Sequence, residues 1–326
     1  MKTAIVIGSE GQDGRIATTR LTGDGLRVVG IGRGTVRDSD GVENAPIDVT
    51  DLASVRALVE RCTPAEIYYL AARHGSSESN TNDEPAELKA TLAVNVEGIA
   101  NVLEAARKVA PDARVVYAAS SRIFGTPPTE LQDESTPIAP ECLYGISKAA
   151  GLQLCRRYRR EHGLHVSAAI LYNHESPLRG PSFVSSRVVH GALAIARGTA
   201  SELVVGDLSA EVDWGWAPDH VDAMVRMARH ATPDDYVVAT GAAHSLQQFV
   251  EVAFACAGLD WRRHVREDAG LLGRKRPRMI GDISKLSAAT GWRPTVTFGE
   301  MVERLWNAAT RSQGDETSQA SVRLSS

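Results

Sequence analysis

A short apolar strand that runs directly into three spaced glycines constrains the fold of this chain more than any other feature. Thr3–Ile7 is mostly β-branched and apolar, as expected of a buried parallel strand. Glycines after such a strand allow a tight turn and a close approach of the backbone to a pyrophosphate at a helix N-terminus. The loop therefore predicts the dinucleotide-binding turn of a βαβ unit. Its expected contact residues are Gly8, Gly11, Gln12, Asp13 and Gly14.

Similar apolar runs recur along the first half of the chain, separated by segments of helix length. Further strands are expected at Leu26–Ile31, Glu66–Leu70, Arg114–Ala118 and Val166–Leu171. Apolar residues recur at helical spacing in Asp51–Cys62, Ala86–Val109 and Tyr144–Arg160. Strands that alternate with helices form right-handed crossovers, so we expect an α/β fold with a Rossmann-type, doubly wound parallel sheet.

The pattern changes after Leu171, where a polar loop rich in proline and glycine is followed by shorter segments. These segments indicate a smaller C-terminal, substrate-binding α/β lobe. The expected division is a dinucleotide-binding domain at 1–172 and a lobe mainly at 173–312, with a segment near 216–243 returning to the first domain. Residues 313–326 are polar without periodicity and are predicted to form a disordered tail.

Composition and charge exclude several classes of function. The 326 residues include 36 lysines and arginines against 40 acidic residues, a net charge of −4, and the dense basic run is confined to Arg274–Arg278. Nucleic acid is therefore not an expected partner. No apolar stretch approaches the roughly 18 residues of a membrane span, and the first residues lead into a strand rather than a signal peptide. We expect a cytoplasmic protein with no membrane partner.

The four cysteines lie far apart and form no CxxC pair. This spacing fits reduced thiols better than a disulfide framework or a zinc site. We therefore expect no bound metal.

The residues after the second expected strand favour NADP over NAD. An acidic side chain there usually binds the ribose 2′-hydroxyl of NAD, whereas an arginine accommodates the 2′-phosphate of NADP. Arg33 and Arg37 both come before the first acid, Asp38. Arg33 is the expected phosphate ligand and Arg37 its alternative, although either could be a solvated loop cation. Asp48 and Val49 are expected beside the adenine.

A tyrosine and a lysine lie one helical turn apart, at Tyr144 and Lys148. A tyrosine has an ordinary pKa near 10, so its use as a base at neutral pH needs a nearby cation such as Lys148. The strand Arg114–Ala118 leads to Ser120, at the edge of the sheet where open α/β folds bind ligands. Together the three residues predict a proton-transfer site.

With these motifs in place, the chain resembles the extended short-chain dehydrogenase/reductases, and among them the GDP-mannose 4,6-dehydratases. The likeness spans most of the chain, and its Asn-His-Glu-Ser-Pro and Asp-Trp-Gly runs are unusually specific. It rests on Gly8–Gly14, Leu70–Ala72, Val94–Gly98, Ser120–Ser121, Tyr144 with Lys148, Asn173–Pro177 with Arg179–Gly180, Phe183–Val184, Gly206–Gly215 and Gly281–Trp292.

The resemblance implies NADP and a nucleotide-diphosphate sugar whose chemistry begins at sugar C4. Tyr144 would take the C4 hydroxyl proton as hydride passes to the nicotinamide, Ser120 would bond the reacting oxygen, and Lys148 would lower the tyrosine pKa. A homodimer or homotetramer, built on the two long helices that flank the sheet, is also implied. The resemblance further assigns cofactor contacts to Leu70, Ala71 and Ala72, and substrate contacts to Asn173, Arg179 and Arg187.

The chain departs from the family pattern at Arg122, where the dehydratases carry the glutamate that removes the C5 proton. A guanidinium cannot act as a base, so ordinary 4,6-elimination is in doubt. Arg122 could instead hold an anionic group of the ligand, stabilise a developing oxyanion, or pair with Glu134 or Glu141. A second departure is Val212, where the family places an arginine on the substrate diphosphate. Arg274–Arg278 could replace that contact, or be a solvated loop.

Three functions follow. The favoured hypothesis is an NADP-dependent 4-keto-sugar reductase or 4-epimerase that retains hydride transfer at C4. The first alternative is a 4,6-dehydratase with another base, and the second is a non-catalytic paralogue that binds the cofactor. The candidate replacement bases are His74, Cys142, His174 and Glu175.

Overall fold

The computed structural model describes residues 1–32, 47–73, 84–268, 270 and 277–311, and the backbone of 36–38, 43–44 and 312–323. The strands are β1 Thr3–Ile7, β2 Arg27–Ile31, β3 Val36–Asp38, β4 Glu43–Asn44, β5 Glu66–Tyr69, β6 Arg114–Ala118, β7 Leu131–Gln132, β8 Val166–Leu171, β9 Asn173–Glu175, β10 Leu203–Val205, β11 Glu211–Trp216, β12 Asp235–Val238, β13 Ala243–Ser245, β14 Val265–Glu267 and β15 Ile280–Gly281. The helices are α1 Gln12–Gly23, α2 Leu52–Cys62, α3 Glu84–Leu92, α4 Gly98–Val109, α5 Leu143–His162, α6 Val184–Ala196, α7 Ala217–Arg229, α8 Leu246–Cys256, α9 Ser284–Thr290 and α10 Phe298–Arg323.

The main sheet has the order β12-β8-β6-β5-β1-β2-β3-β4. Its strands from β12 to β2 are parallel, with Ile5 opposite Val29 on one side and Ile67 on the other. In this sheet, the antiparallel pairings among the described residues are those of β3 with β2 and of β4 with β3, at one edge. The strand order reverses between β1 and β5, which makes the carboxyl edge there the ligand-binding crevice of a doubly wound fold. This confirms the predicted fold class.

Helices cover both faces of the sheet because its strands are apolar on both sides. Alternate residues of one strand point to opposite cores: Ile5 packs toward α2, α4 and α5, whereas Val6 packs toward α1 and α7. A third core lies in the smaller lobe among α6, α8 and α10 and is centred on Trp214 and Phe249. The smaller lobe therefore has its own apolar interior beside the crevice.

A buried aspartate joins the two parts of the molecule. Asp213, in β11, is 1% exposed and accepts hydrogen bonds from the backbone N–H groups of Thr240, Gly241 and Gly281 and from the hydroxyl of Thr240. Thr240 follows β12, the edge strand of the main sheet, while β11 pairs with β9 and β13 of the smaller lobe. Asp213 thus fixes the smaller lobe beside the carboxyl edge of the sheet.

The secondary structure of two of the predicted segments differs from the prediction. The single helix expected over Ala86–Val109 is divided by a π-helical turn at Ala93–Glu97, where the amide of Asn95 bonds to neighbouring elements. A disordered tail was expected from 313, and the described backbone of α10 continues to Arg323. No proline interrupts that segment, so helix propagation continues from the packed first turns. No helix among the described residues is long and apolar enough to cross a membrane.

Candidate active site

The loop between β1 and α1 has no room for side chains at two of its glycines. Gly8 has a φ of +92°, in the region that favours glycine, and a Cβ there would lie 2.6 Å from the backbone nitrogen of Ala71. A Cβ at Gly14 would lie 2.1 Å from the carbonyl oxygen of Gly8. The N–H of Gly11 donates to that same carbonyl at 3.1 Å. A bare backbone turn at a helix N-terminus is an anion-binding arrangement.

The end of β5 lies against this loop. The N–H of Leu70 donates to the carbonyl oxygen of Ile7 at 2.8 Å, and Ala71 contacts the turn at Gly8. Ala72 is exposed at the crevice. The three residues predicted from the Leu-Ala-Ala motif therefore line the same edge as the glycine loop.

The residues expected around the adenosine are described in part. Arg33 lies outside the described residues, and only the backbone of Arg37 is described. Asp48 is exposed, and its carboxylate accepts hydrogen bonds from the N–H of Thr50 at 2.9 Å and from the Thr50 hydroxyl at 2.8 Å. This carboxylate closes the turn before α2. Val49 packs beside Gly98 at the start of α4.

Ser120 and Arg122 lie just beyond the carboxyl end of β6. Ser120 is 8% exposed, and its hydroxyl oxygen accepts a hydrogen bond from the N–H of Arg122 at 3.2 Å, which caps a short 3₁₀ helix. A Cβ at Gly145 would lie 2.5 Å from the carbonyl oxygen of Arg122, so this turn packs directly on α5. The Arg122 side chain is half-buried and forms no salt bridge with Glu134, Glu141 or any other described residue.

Tyr144 and Lys148 lie in the first turns of α5, as predicted. Lys148 is 1% exposed, and its Nζ donates to the carbonyl oxygen of Ala118 at 2.7 Å. Its ammonium group lies 5.0 Å from the centre of the Tyr117 ring and 5.7 Å from that of Tyr144. The lysine therefore fills the space between α5 and the end of β6, behind the tyrosine.

Burial dominates the ionisation of both side chains. It raises the pKa of Tyr144 to about 12, and the hydrogen bond from Ser120 and the charge of Arg179 oppose that rise. Burial also lowers the pKa of Lys148 to about 7, against the opposing charge of Asp13. The charges of Asp13 and Arg179 therefore shift the pKa of the Tyr144 phenol, and the charge of Asp13 also shifts the pKa of Lys148.

Asn95 is a site residue that the sequence reasoning missed. It is fully buried, and its side-chain amide donates to the hydroxyl of Ser147 at 2.9 Å and to the carbonyl oxygen of Arg73 at 3.1 Å. Its Oδ1 accepts from the N–H of Arg73 at 2.8 Å. The asparagine thus ties the segment after β5 to the helix that carries Tyr144. The sequence feature that could have pointed to Asn95 is the Val-Asn-Val-Glu-Gly motif.

The glycine loop is joined to the loop that follows β8. The side chain of Gln12 donates to the carbonyl oxygen of His174 at 3.1 Å and accepts from the hydroxyl of Ser176 at 2.8 Å. The Nε2 of His174 lies 3.0 Å from a carboxylate oxygen of Asp13. In the structure, the side chains of Gln12 and Asp13 therefore face the Asn173–Pro177 segment.

Glu175 and Arg179 form a second cluster in that segment. Glu175 is 2% exposed and accepts from the hydroxyl of Ser185 at 2.7 Å, while the Nε of Arg179 lies 3.2 Å from the same carboxylate oxygen. Burial raises the pKa of Glu175, and Arg179 opposes the rise. The Arg179 guanidinium also lies 3.7 Å from the centre of the Phe183 ring. Glu175 is thus held by α6 and not free in the crevice.

The other predicted substrate residues lie around this cluster. Asn173 is exposed at the start of β9. Arg187, in α6, is half-buried and donates to the carbonyl oxygen of Val204 at 3.4 Å. A cavity of about 100 Å³ opens between the loop, α6 and α10. The residues that line it include Ser176, Arg179, Ser185, Ser186, His190 and Leu305.

The remaining candidates have other partners or are not described. Cys142 caps α5, since its Sγ accepts a hydrogen bond from the N–H of Gly145 at 3.4 Å. Arg278 pairs with Glu130 at 2.8 Å and with Glu211 at 3.0 Å. His74 and the arginines and lysine of 274–276 lie outside the described residues.

Comparisons with known proteins identify the family of this chain. A family model described as GDP-mannose 4,6 dehydratase matches residues 5–305. The chain is 35% identical over 329 residues to GDP-mannose 4,6 dehydratase 2 of Arabidopsis thaliana, covering 93% of this chain and 86% of the relative. It is 31% identical over 327 residues to GDP-mannose 4,6-dehydratase of Sinorhizobium fredii, covering 90% and 92%.

Solved structures show the same fold. A putative epimerase from Burkholderia cenocepacia superposes with a TM-score of 0.81 at 24% identity, covering 94% of this chain and 97% of that one. RMD from Pseudomonas aeruginosa, complexed with NADPH, superposes with a TM-score of 0.80 at 21% identity, covering 94% and 98%. With the family match over most of its length, the chain belongs to the GDP-mannose 4,6 dehydratase family of enzymes, which are of the extended short-chain dehydrogenase/reductase type.

Proposed function

We propose that this enzyme transfers hydride at C4 of a nucleotide-diphosphate sugar, with NADP as cofactor, as a 4-keto-sugar reductase or a 4-epimerase. The observation that carries the proposal is that Ser120, Tyr144 and Lys148 are assembled at the crevice while Arg122 occupies the turn beside them. The three residues that would carry out proton transfer are thus present. The elimination base of the dehydratase pattern is replaced by a cation.

The glycine loop fits a dinucleotide because its backbone turn is bare: side chains at Gly8 and Gly14 would collide with main-chain atoms. The loop, with Leu70, Ala71 and Ala72 at the end of β5, would hold the cofactor. NADP is favoured over NAD because Arg33 follows β2 in the sequence. RMD from Pseudomonas aeruginosa was solved with NADPH, while MoeE5 was solved with NAD and UDP-glucuronic acid. The bound nicotinamide would supply the hydride acceptor or donor.

Tyr144 would move the proton that accompanies hydride transfer. Its phenolate would accept the proton of the C4 hydroxyl in the oxidation, and its phenol would return that proton in the reduction. Ser120, hydrogen-bonded to Tyr144, would hold the reacting sugar oxygen. A charged Lys148 would favour the phenolate, because an opposite charge at this distance stabilises the ionised form.

Arg122 would contribute a positive charge next to the reacting carbon atoms. It forms no salt bridge within the described chain, so its guanidinium is available for an anionic group of the substrate or an oxyanion that develops during reaction. A guanidinium stays protonated and cannot take the C5 proton. We therefore propose that elimination of water does not follow oxidation at C4.

Three other residues of the smaller lobe would complete the substrate site. Arg179 and Arg187 would bind the diphosphate, and Asn173 lies exposed at the start of β9 where the sugar nucleotide would pass. Such positive charge must be local, since the whole chain carries a net charge of −4.

The test is a panel of GDP-, UDP-, CDP- and dTDP-sugars incubated with the enzyme and either NADP⁺ or NADPH, with products identified by mass spectrometry. We expect a product that differs by two hydrogens or only in stereochemistry. Loss of water would support a dehydratase with another base instead. Tight cofactor binding without turnover of any sugar would support the non-catalytic alternative.

A further inference from the structure

The two ring nitrogens of His174 both face hydrogen-bond acceptors. The Nδ1 atom lies 2.6 Å from the carbonyl oxygen of Tyr172, and the Nε2 atom lies 3.0 Å and 3.1 Å from the two carboxylate oxygens of Asp13. A carbonyl oxygen and an ionised carboxylate can only accept. Both contacts are hydrogen bonds only when both ring nitrogens carry a proton, so the geometry calls for a cationic imidazolium.

The charges around this ring agree with that state. Burial would raise the pKa of Asp13, but His174, Gln12 and Arg179 together lower it to about 2. Burial would lower the pKa of His174, but the charge and hydrogen bond of Asp13 raise it. The ring of His220, on α7, stacks on that of His174 at 4.5 Å, and burial holds the pKa of His220 well below its usual range. A neutral ring thus covers a charged one.

A second contact runs beside this pair. The side chain of Gln12 bonds to the His174 carbonyl oxygen and to the Ser176 hydroxyl. Gln12 and Asp13 belong to the first turn of α1, while His174 and Ser176 belong to the segment that leads to Arg179. Four polar contacts, two of them between His174 and Asp13, therefore join two segments that are more than 160 residues apart in sequence.

We propose that Asp13 and the imidazolium of His174 form a charge-compensating clasp that holds the substrate loop 173–179 against the glycine loop. This inference rests on the proposed function, because it assigns the glycine loop to a dinucleotide. Asp13 and His174 are positioning residues: they would act by fixing the two segments that would hold the ligands.

The clasp also resolves an electrostatic conflict. Asp13 lies in the first turn of α1, where the helix dipole and free backbone N–H groups would bind the negative charge of a pyrophosphate. An uncompensated carboxylate at that point would repel the ligand. The proton on His174 cancels its charge, so the pair leaves the anion-binding end of α1 without net negative charge.

The protonation of His174 can be observed directly. The whole protein, labelled with ¹⁵N at its histidines, gives imidazole resonances that distinguish protonated from unprotonated ring nitrogens, and His174→Gln assigns the signal. We expect both nitrogens of His174 to be protonated at neutral pH, and one to lose its proton in Asp13→Asn. An unprotonated ring nitrogen in the unchanged protein would overturn the proposal. This readout does not depend on the reaction catalysed.

Cofactor affinity tests the compensation of charge. We measure NADPH binding by fluorescence titration for His174→Gln, Asp13→Asn and the double variant, with the half-buried His264→Gln as the matched control. His174→Gln leaves a buried carboxylate unpaired, so we expect affinity to fall by about tenfold or more. The double variant should recover most of that loss. If the double variant loses as much NADPH affinity as the two single variants together, the two side chains act only through packing, and the clasp is overturned.

Failure of the clasp and failure of the proposed function would give different results. An unchanged protein that binds no NADPH would contradict the proposed function, whereas the nitrogen resonances of His174 would still report on the clasp.

Discussion

The ammonium group of Lys148 lies 5.7 Å from the centre of the Tyr144 ring, and it donates its hydrogen bond to the carbonyl oxygen of Ala118. The lysine is thus tied to the end of β6 rather than to the phenol. Its effect on Tyr144 must act through charge, and burial suppresses that charge because it lowers the lysine pKa to about 7. A buried lysine with a lowered pKa destabilises the fold, and the proposed role in proton transfer accounts for its presence here.

Lys148→Met should therefore stabilise the protein while it abolishes hydride transfer. In the folded protein the pKa of Lys148 lies below its ordinary value of 10.5. Between pH values of about 7 and 10.5 the unfolded state therefore binds more protons, and the stability of the unchanged protein rises with pH. Allowing for the lost hydrogen bond, we expect the free energy of unfolding at neutral pH to rise by about 2–4 kcal/mol. Urea unfolding measures it, with the exposed Lys89→Met as control. The gain should shrink toward the upper end of this pH window; a gain that is equal at all pH values would contradict it.

Tyr144→Phe removes the proposed proton acceptor without altering the shape of the site. We expect single-turnover hydride transfer, followed by nicotinamide absorbance, to slow by about 10²–10⁴-fold. Tyr158→Phe is the matched control on the same helix, since its hydroxyl bonds to Glu104 at 3.1 Å away from the crevice. Equal rates for the two variants would remove Tyr144 from the mechanism.

Gly14→Ala should prevent cofactor binding, because the added Cβ would lie 2.1 Å from the carbonyl oxygen of Gly8 and the turn cannot move without opening. Gly23→Ala, at the other end of α1, meets nothing within 4 Å and serves as control. Titration with NADPH measures the difference, and circular dichroism shows that both variants are folded. Undiminished NADPH affinity in Gly14→Ala would argue against the loop as the pyrophosphate site.

Arg122→Glu places an acid where the dehydratases have their base. If position 122 decides the outcome after oxidation at C4, this variant should release water from the sugar, whereas Arg122→Gln, which only removes the charge, should not. Mass spectrometry of the products compares the two. Absence of water loss in Arg122→Glu would mean that position 122 is not the sole determinant.

Asp213→Ala should destabilise the fold severely. Its carboxylate accepts four hydrogen bonds in the interior, and their donors would be left without partners. We expect the free energy of unfolding to fall by about 3–5 kcal/mol. Asp260→Ala, which removes an exposed cap before a short helix, should cost far less in the same urea titration. Similar losses for both variants would be inconsistent with this role.

The sheet and the helix that carries Tyr144 could be predicted from the sequence because their residue patterns are local. The apolar strands β1, β6 and β8 have the predicted bounds, and the Tyr144 and Lys148 pair follows from helical spacing. The antiparallel strand β3 was not predicted, since its three residues carry too short a pattern. The periodicity of apolar residues indicates which side of a segment is buried, and it predicts an element most reliably when the segment is long.

Contacts between distant segments were harder to predict. His174 was considered as a base, but only the fold shows that its ring faces Asp13 across two loops. Asn95 sits in a π-helical turn that no residue pattern distinguishes from an α-helix, and its partners lie in other elements. Such buried polar contacts depend on the tertiary packing, which one sequence does not reveal.

The most direct test of hydride transfer at C4 uses a nucleotide sugar labelled with deuterium at that carbon. The enzyme and NADP⁺ are mixed in single-turnover amounts, quenched, and both sugar and cofactor are analysed by mass spectrometry. For a reductase running in the direction of oxidation, we expect deuterium in the reduced cofactor; for an epimerase, we expect deuterium on C4 of a sugar whose configuration is inverted; in both cases the sugar keeps all its oxygen atoms. Deuterium on C4 of a sugar of unchanged configuration, or a sugar that has lost water, would contradict the account.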